Sequence, residues 1–422
     1  MKRSSRALLA IRRIATGVAV VVGLVVAALT VWFLLSPSAP PGHLERVGTN
    51  RVDPELAGVG DRSLEMGRDV AVRLGLASVS FAASVGGNVV WQAAMGLADV
   101  KREELVTATT LYRTGSVAKP MTSVVLGRLV EAGLLDLDMP VRTYLPEVEG
   151  PLGEATLRQL AGHSAGVRHY AGPPARDFWT EQFTGRHFEP AREALPLVLG
   201  DPLRFAPGEG FAYSTHGYTV LAAAMEAATG KGILELLDEY LTGPLGMRNT
   251  LPDDVRRMSG ARATTYIRRG NRFLIPPDPD PSYKWAGGGL LSTPTDLVRM
   301  AGGLMTGGIL GPGTVEELWT PLPLPDGEPN PQNYGLGWRI DPGAAGEDGR
   351  ESLRTVHHGG SIIGGSSFLL LLPEDEVAVA VMTNATLSDP GPLREVVYRM
   401  AGLWTIVARE RAERELVREL AR

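Results

Sequence analysis

Ser116 and Lys119 are the pair best equipped for chemistry in this 422-residue chain. They stand three apart in Ser116-Val117-Ala118-Lys119, ahead of a stretch, residues 120–133, with apolar positions at helical spacing and a terminal glycine. Neighbours at i and i+3 share a helix face, so hydroxyl and amine would meet. A serine hydroxyl is a weak nucleophile until a base takes its proton, and a desolvated lysine can be neutral enough to do so. Pro120 costs little in a first turn, where backbone donors lack intrahelical partners. The helix N-terminus would also favour developing negative charge. By itself the spacing is common, and a lone lysine there is more often a solvated one.

Two further clusters add weight. Residues 207–215 form a turn that carries Tyr213-Ser214 into a helix-like stretch, 217–230. His357-His358-Gly359-Gly360-Ser361 precedes two alternating, β-rich runs, 366–372 and 377–383, with Pro373-Glu374-Asp375-Glu376 as the turn between them. Serine and lysine on a helix, tyrosine on a loop and histidine-glycine on a strand form a layout related to the motif set of serine β-lactamases and penicillin-binding proteins.

In this order and with these flanks the chain resembles the serine β-lactamase-like superfamily, in its class C, D,D-carboxypeptidase and esterase branch. Its kin include the β-lactamase-like serine proteases known also from mitochondria. The resemblance runs from about Ser63 to Thr383. It extends over residues 134–141, 144–146, 156–170, 288–293 and Tyr334-Gly335-Leu336-Gly337-Trp338. It implies Ser116 as the acyl-accepting nucleophile, Lys119 as its base, and Tyr213 as proton shuttle to the leaving group. His358, rather than His357, would take the place often held by lysine, because Gly364 and Pro373 then fall at the expected spacings. The backbone amides of Ser116 and Ser361 would form the oxyanion hole, typically worth several kcal/mol. Gly360, Thr215, His169 and Tyr170 would contact substrate. Thr215 stands where many relatives have asparagine, and Gly359 where they have threonine or serine. Both departures favour a peptidase or esterase over a true β-lactamase.

Gly162-His163-Ser164-Ala165-Gly166 fits the nucleophile elbow of α/β-hydrolases, which needs a strand before the serine and a helix after it. Here a short helix is expected before Ser164, and 168–174 cannot start one, so the match is read as a loop. Metal chemistry is not expected: there are seven histidines, no cysteine and no spaced ligand motif. No cofactor is implied. The net charge of −5 argues against nucleic-acid binding.

These residues need a frame. The expected fold is α/β (α+β) and β-lactamase/transpeptidase-like: an antiparallel sheet built from both chain ends, flanked by helices, with a mostly helical insert at about 121–281. Strands are predicted at 78–85, 89–94 and near 354–383, and helices at 64–74 and 392–422. Residues 14–35 carry no charge and exceed the ~20 needed to cross a bilayer. Basic residues precede them and no acid occurs before Glu45, so the positive-inside rule puts the N-terminus in the cytoplasm. The expected organisation is a basic cytoplasmic tail (1–13), a transmembrane anchor (14–35), a linker (36–62) and a hydrolase domain (63–422), periplasmic or extracellular. A mitochondrial address ranks lower. The function expected is an acyl-enzyme hydrolase of a peptide, amide or ester near the envelope. The alternatives are a true β-lactamase or a non-catalytic envelope binding or assembly protein.

Overall fold

The computed structural model describes residues 2–170, 185–257, 259–341 and 354–420. A long helix, α1 (Lys2–Leu35), leads in. The main antiparallel sheet follows the spatial order β1 (Val47–Val52), β3 (Asn88–Asp99), β2 (Ser78–Val85), β7 (Val377–Thr383), β6 (Gly365–Leu372), β5 (Thr355–Ile362), β4 (Arg339–Asp341). The two chain ends therefore meet at the β2–β7 pair, whose register runs from Val377 opposite Val85 to Thr383 opposite Val79.

Both faces of the central strands are covered, so they read as continuous apolar runs rather than alternating ones. Period-2 geometry still sorts their side chains. Phe368, Leu370, Val379 and Val381 point to the core beneath α2 (Ala57–Leu74) and α6 (Gly391–Leu420). Leu369, Leu371, Ala378, Ala380 and Met382 point to the other core, shared with α3 (Ala118–Glu131), α4 (Thr215–Thr229) and α5 (Pro294–Met305). The β2–β3 turn has Gly86 and Gly87 at φ +57° and +74°, the left-handed pair that a tight two-residue hairpin needs.

Within the stretch expected as a linker, several residues pair with the sheet and its neighbours. Residues 47–52 are the edge strand β1, paired along β3 from Val47–Met95 to Val52–Trp91. The short β-pattern at 47–52 lacks the apolar alternation of a half-buried strand, which is why it reads as spacer. Residues 36–37 are also engaged. Arg272 on the hairpin Ile267–Arg269/Arg272–Leu274 donates to Leu34 O (2.9 Å), and Phe273 N–H donates to Pro37 O (2.9 Å).

Candidate active site

The nucleophile turn is shaped by its neighbours. Thr114 is clamped from two sides: its N–H and Oγ1 both donate to Leu290 O at 2.9 Å, and Ser367 Oγ donates to Thr114 O at 2.6 Å. Gly115 has φ +49°, and a Cβ there would lie 2.8 Å from the Ser361 nitrogen. A Cβ on Gly360 would collide with the Thr114 carbonyl oxygen. These two glycines let β5 close on the turn, and so bring the backbone at Ser361 against that at Ser116.

Ser116 then sits in the middle of a 3-10 turn, Gly115–Val117, that runs straight into α3. Lys119 is 0% exposed. Its Nζ lies 3.3 Å from Ser116 Oγ, 3.0 Å from Thr215 Oγ1 and 2.8 Å from Gly287 O. No carboxylate pairs with it among the described residues. Burial, then the charges of Arg339 and Lys284, hold its pKa well below the ordinary lysine value. A neutral amine has two N–H donors and one lone pair. Gly287 O can only accept and the Thr215 hydroxyl can accept, which leaves the lone pair for the Ser116 proton.

Tyr213 sits over this amine, with Lys119 Nζ 4.8 Å from its ring centre. Its hydroxyl is buried and makes no well-aligned hydrogen bond among the described residues. Burial pushes its pKa up to about 12, against the lowering influence of nearby Arg339 and Ser116, so at neutral pH it carries a proton. His163 packs against the ring at 4.3 Å between centroids and accepts from Ser214 N–H at 3.3 Å.

The strand register separates the two histidines. His358 is paired with Leu369 and faces the α3 core, whereas His357 is paired with Leu370, packs on Phe368 and Tyr398, and contacts Asp341 at 3.1 Å. His358 is fully buried, however, and does not line the cleft. Its Nδ1–H donates to Gly359 O at 2.7 Å, which leaves Nε2 to accept from Tyr334 Oη (2.9 Å) and Arg339 Nη1 (3.2 Å). Burial and the charges of Arg339 and Lys119 hold it neutral. The cation nearest Tyr213 on this side is instead Arg339, braced by Gln332 and with its guanidinium 5.3 Å from the Tyr213 ring centre; Arg394 lines the same arm.

The cleft has two arms that meet at Ser116, His169 and Ser361. The outer arm, about 460 Å³, includes Tyr213, Arg339, Gly359 and Gly360; the inner, about 230 Å³, includes Tyr170, Lys284 and Gly288. A larger cavity of about 560 Å³, behind Trp285, contains none of these groups. Thr215, expected to touch substrate, lines neither arm, because its side chain is drawn inward to Lys119. His169 and Tyr170 do line the cleft, and His169 Nδ1 accepts from Thr215 N–H at 3.2 Å. Ser164 has no elbow context: the helix Leu157–Ala161, not a strand, precedes it. Arg339, Lys284 and His163 went unread as site residues. Arg339 directly follows the quoted Tyr-Gly-Leu-Gly-Trp segment, a weak signal. Lys284 closes a loop without a motif.

A family description, Beta-lactamase, matches residues 65–400. The human mitochondrial serine beta-lactamase-like protein LACTB is 29% identical over 80% of this chain and 76% of its own length. Esterase EstB of Burkholderia gladioli is 33% identical over 39% of this chain and 44% of its own. Among solved structures, the penicillin-binding protein homologue from Pyrococcus abyssi superposes with a TM-score of 0.67 at 25% identity, covering 82% of this chain and 77% of that one.

Proposed function

The chain belongs to the β-lactamase family of serine hydrolases, and from that premise we propose a membrane-anchored hydrolase that acts through an acyl-enzyme on a peptide, amide or ester. One observation carries the reading: a fully buried lysine without an acid partner among the described residues, its amine 3.3 Å from a serine hydroxyl that opens on the cleft. Ser116 Oγ attacks the substrate carbonyl carbon while Lys119 Nζ takes its proton. The oxyanion that forms is held by the amides of Ser116 and Ser361. Tyr213 Oη–H gives its proton to the leaving nitrogen or oxygen as that bond breaks, and Lys119 restores it. Water then attacks the acyl carbon by the reverse relay and frees Ser116. His358 keeps Arg339 and Tyr334 in place, and Arg339 offers the outer arm a cation.

The apolar helix Thr16–Leu35 supports anchoring, with the N-terminus cytoplasmic and the hydrolase outside. Capture of the helix end by Arg272 would hold the domain close to the bilayer. The mitochondrial relatives make an organellar membrane the competing address. Gly359 and Thr215 weigh against a true β-lactamase.

The test is intact-mass analysis of the full chain with a fluorophosphonate and, separately, a penicillin. A single adduct lost in Ser116→Ala is the expected result. Rapid release of a penicillin adduct would instead make it a β-lactamase. No adduct from either reagent on folded protein would leave a non-catalytic binding or assembly role.

A further inference from the structure

Lys284 touches no reacting group in that sequence of steps, beyond the effect of its charge on Lys119, yet it is built into the site. It ends the turn Ser282–Lys284 and leads into the short helix Trp285–Gly288, the same helix whose Gly287 carbonyl holds Lys119. It is 5% exposed. Its Nζ lies 4.9 Å from the Tyr170 ring centre and 5.0 Å from that of Tyr283, and among the described residues it makes no hydrogen bond or ion pair. The acid that attracts it, Asp253, is already bound by Arg113 at 2.7 Å and Arg262 at 3.2 Å. The inner arm that Lys284 lines also holds Ser116, Ser361 and Thr386, and none of its described lining residues is acidic. Burying a cation without a partner is costly. A buried amine faced by two rings but, among the described residues, by no anion or acceptor fits a partner that arrives with the substrate. A compact ammonium with three donors suits a singly charged oxygen anion.

We propose that the inner arm is an anion subsite in which Lys284 binds a carboxylate or phosphodiester of the substrate while Ser116 attacks its carbonyl. The proposal rests on the hydrolase reading. Burial, and then Arg113, bring the Lys284 pKa down to about 7, so an entering anion would also favour its charged form.

The test uses three fluorophosphonates of equal length, ending in a neutral methyl amide, a carboxylate or a methyl phosphodiester. Each is reacted with the full chain in micelles, and Ser116 adduct formation is followed by intact mass. The expected result is labelling about tenfold faster with one anionic probe than with the neutral one. That ratio should fall to about one in Lys284→Met and in Lys284→Gln, and be largely kept in Lys284→Arg. Whichever anionic probe gains identifies the source, an acidic peptide or acyl group against a phospholipid-like one. A ratio near one in the wild type overturns the subsite. So does a ratio unchanged in both the Met and Gln variants, which is also the result expected if Lys284 acted only by depressing the pKa of Lys119. No labelling by any probe removes the hydrolase reading itself.

Discussion

Arg113 and Lys119 are six residues apart and both deeply buried, yet their surroundings are opposite. Arg113 is saturated: Nε meets Asp253 at 2.7 Å, Nη2 meets Asp278, and Nη1 donates to Ile363 O at 2.8 Å. Arg262 closes the square from the other side, at 3.2 Å to Asp253 and 2.9 Å to Asp278. Among the described residues Lys119 meets two hydroxyls and a carbonyl. A buried cation with two carboxylates is a joint; one with none is strained toward neutrality and can take a proton. The difference separates structure from chemistry within a single segment of chain.

The sharpest way to break the comparison is Lys119→Met. Removal of the base should lower kcat/KM by about 10⁴-fold, the upper end for a general base, while a urea melt shows stability kept or raised, because a costly buried amine is replaced by an apolar chain of similar length. Arg113→Met should do the reverse. Asp253 and Asp278 would each lose a charged partner, and the melt should show a loss of about 3–5 kcal/mol. A large stability loss in Lys119→Met with none in Arg113→Met would invert the assignment.

Tyr213→Phe probes a smaller effect on the chemical side. Burial holds its pKa at about 12, so the ring donates a proton and does not act as a phenolate. Loss of that donor should cost about 10²-fold in kcat. The cost should be largest for amide substrates, whose leaving nitrogen must be protonated, and smaller for activated esters. No loss for either, measured side by side, would mean that the ring serves only to pack against Lys119 and His163, since phenylalanine keeps those contacts.

What could be read along the chain was local. The Ser116–Lys119 spacing, the continuous apolar runs of β6 and β7 and the glycines of the β2–β3 turn all carry their reason within a few residues. β2 and β7 end where the turn chemistry says they should, although both are buried on both faces and do not alternate. What could not be read depends on residues far away. Nothing near Thr215 announces that its hydroxyl belongs to Lys119, 96 positions earlier. Nothing near Arg339 says that His358 and Gln332 aim it at the cleft, and β1 is a strand only because β3 offers an edge. The preference for His358 over His357 rests on spacing alone; the β5–β6 register turns the His358 ring toward the α3 core beneath Arg339, and it is His357 that borders the outer arm.

The smallest effect separates the two kinds of buried cation by pH. The Lys284 pKa is brought to about 7, chiefly by burial, below the ~10.4 of an unfolded lysine. Between these values the unfolded chain binds more protons than the folded one, so this group makes stability rise with pH. Below about 7 the lysine is charged in both states and its burial cost is felt in full; above ~10.4 it is neutral in both and the cost is gone. Lys284→Met removes that slope. The variant should therefore be the more stable protein at pH 7, with a lead that shrinks by about 1 kcal/mol per pH unit toward pH 9 in parallel urea melts. The gap between wild type and Arg113→Met should widen only slightly over the same range: the guanidinium does not titrate there, and what slope remains comes from Lys284, whose pKa loses the lowering influence of Arg113. Parallel curves for Lys284→Met would mean that the amine keeps its charge through an acid partner, and the contrast between joint and free cation would fail at that residue.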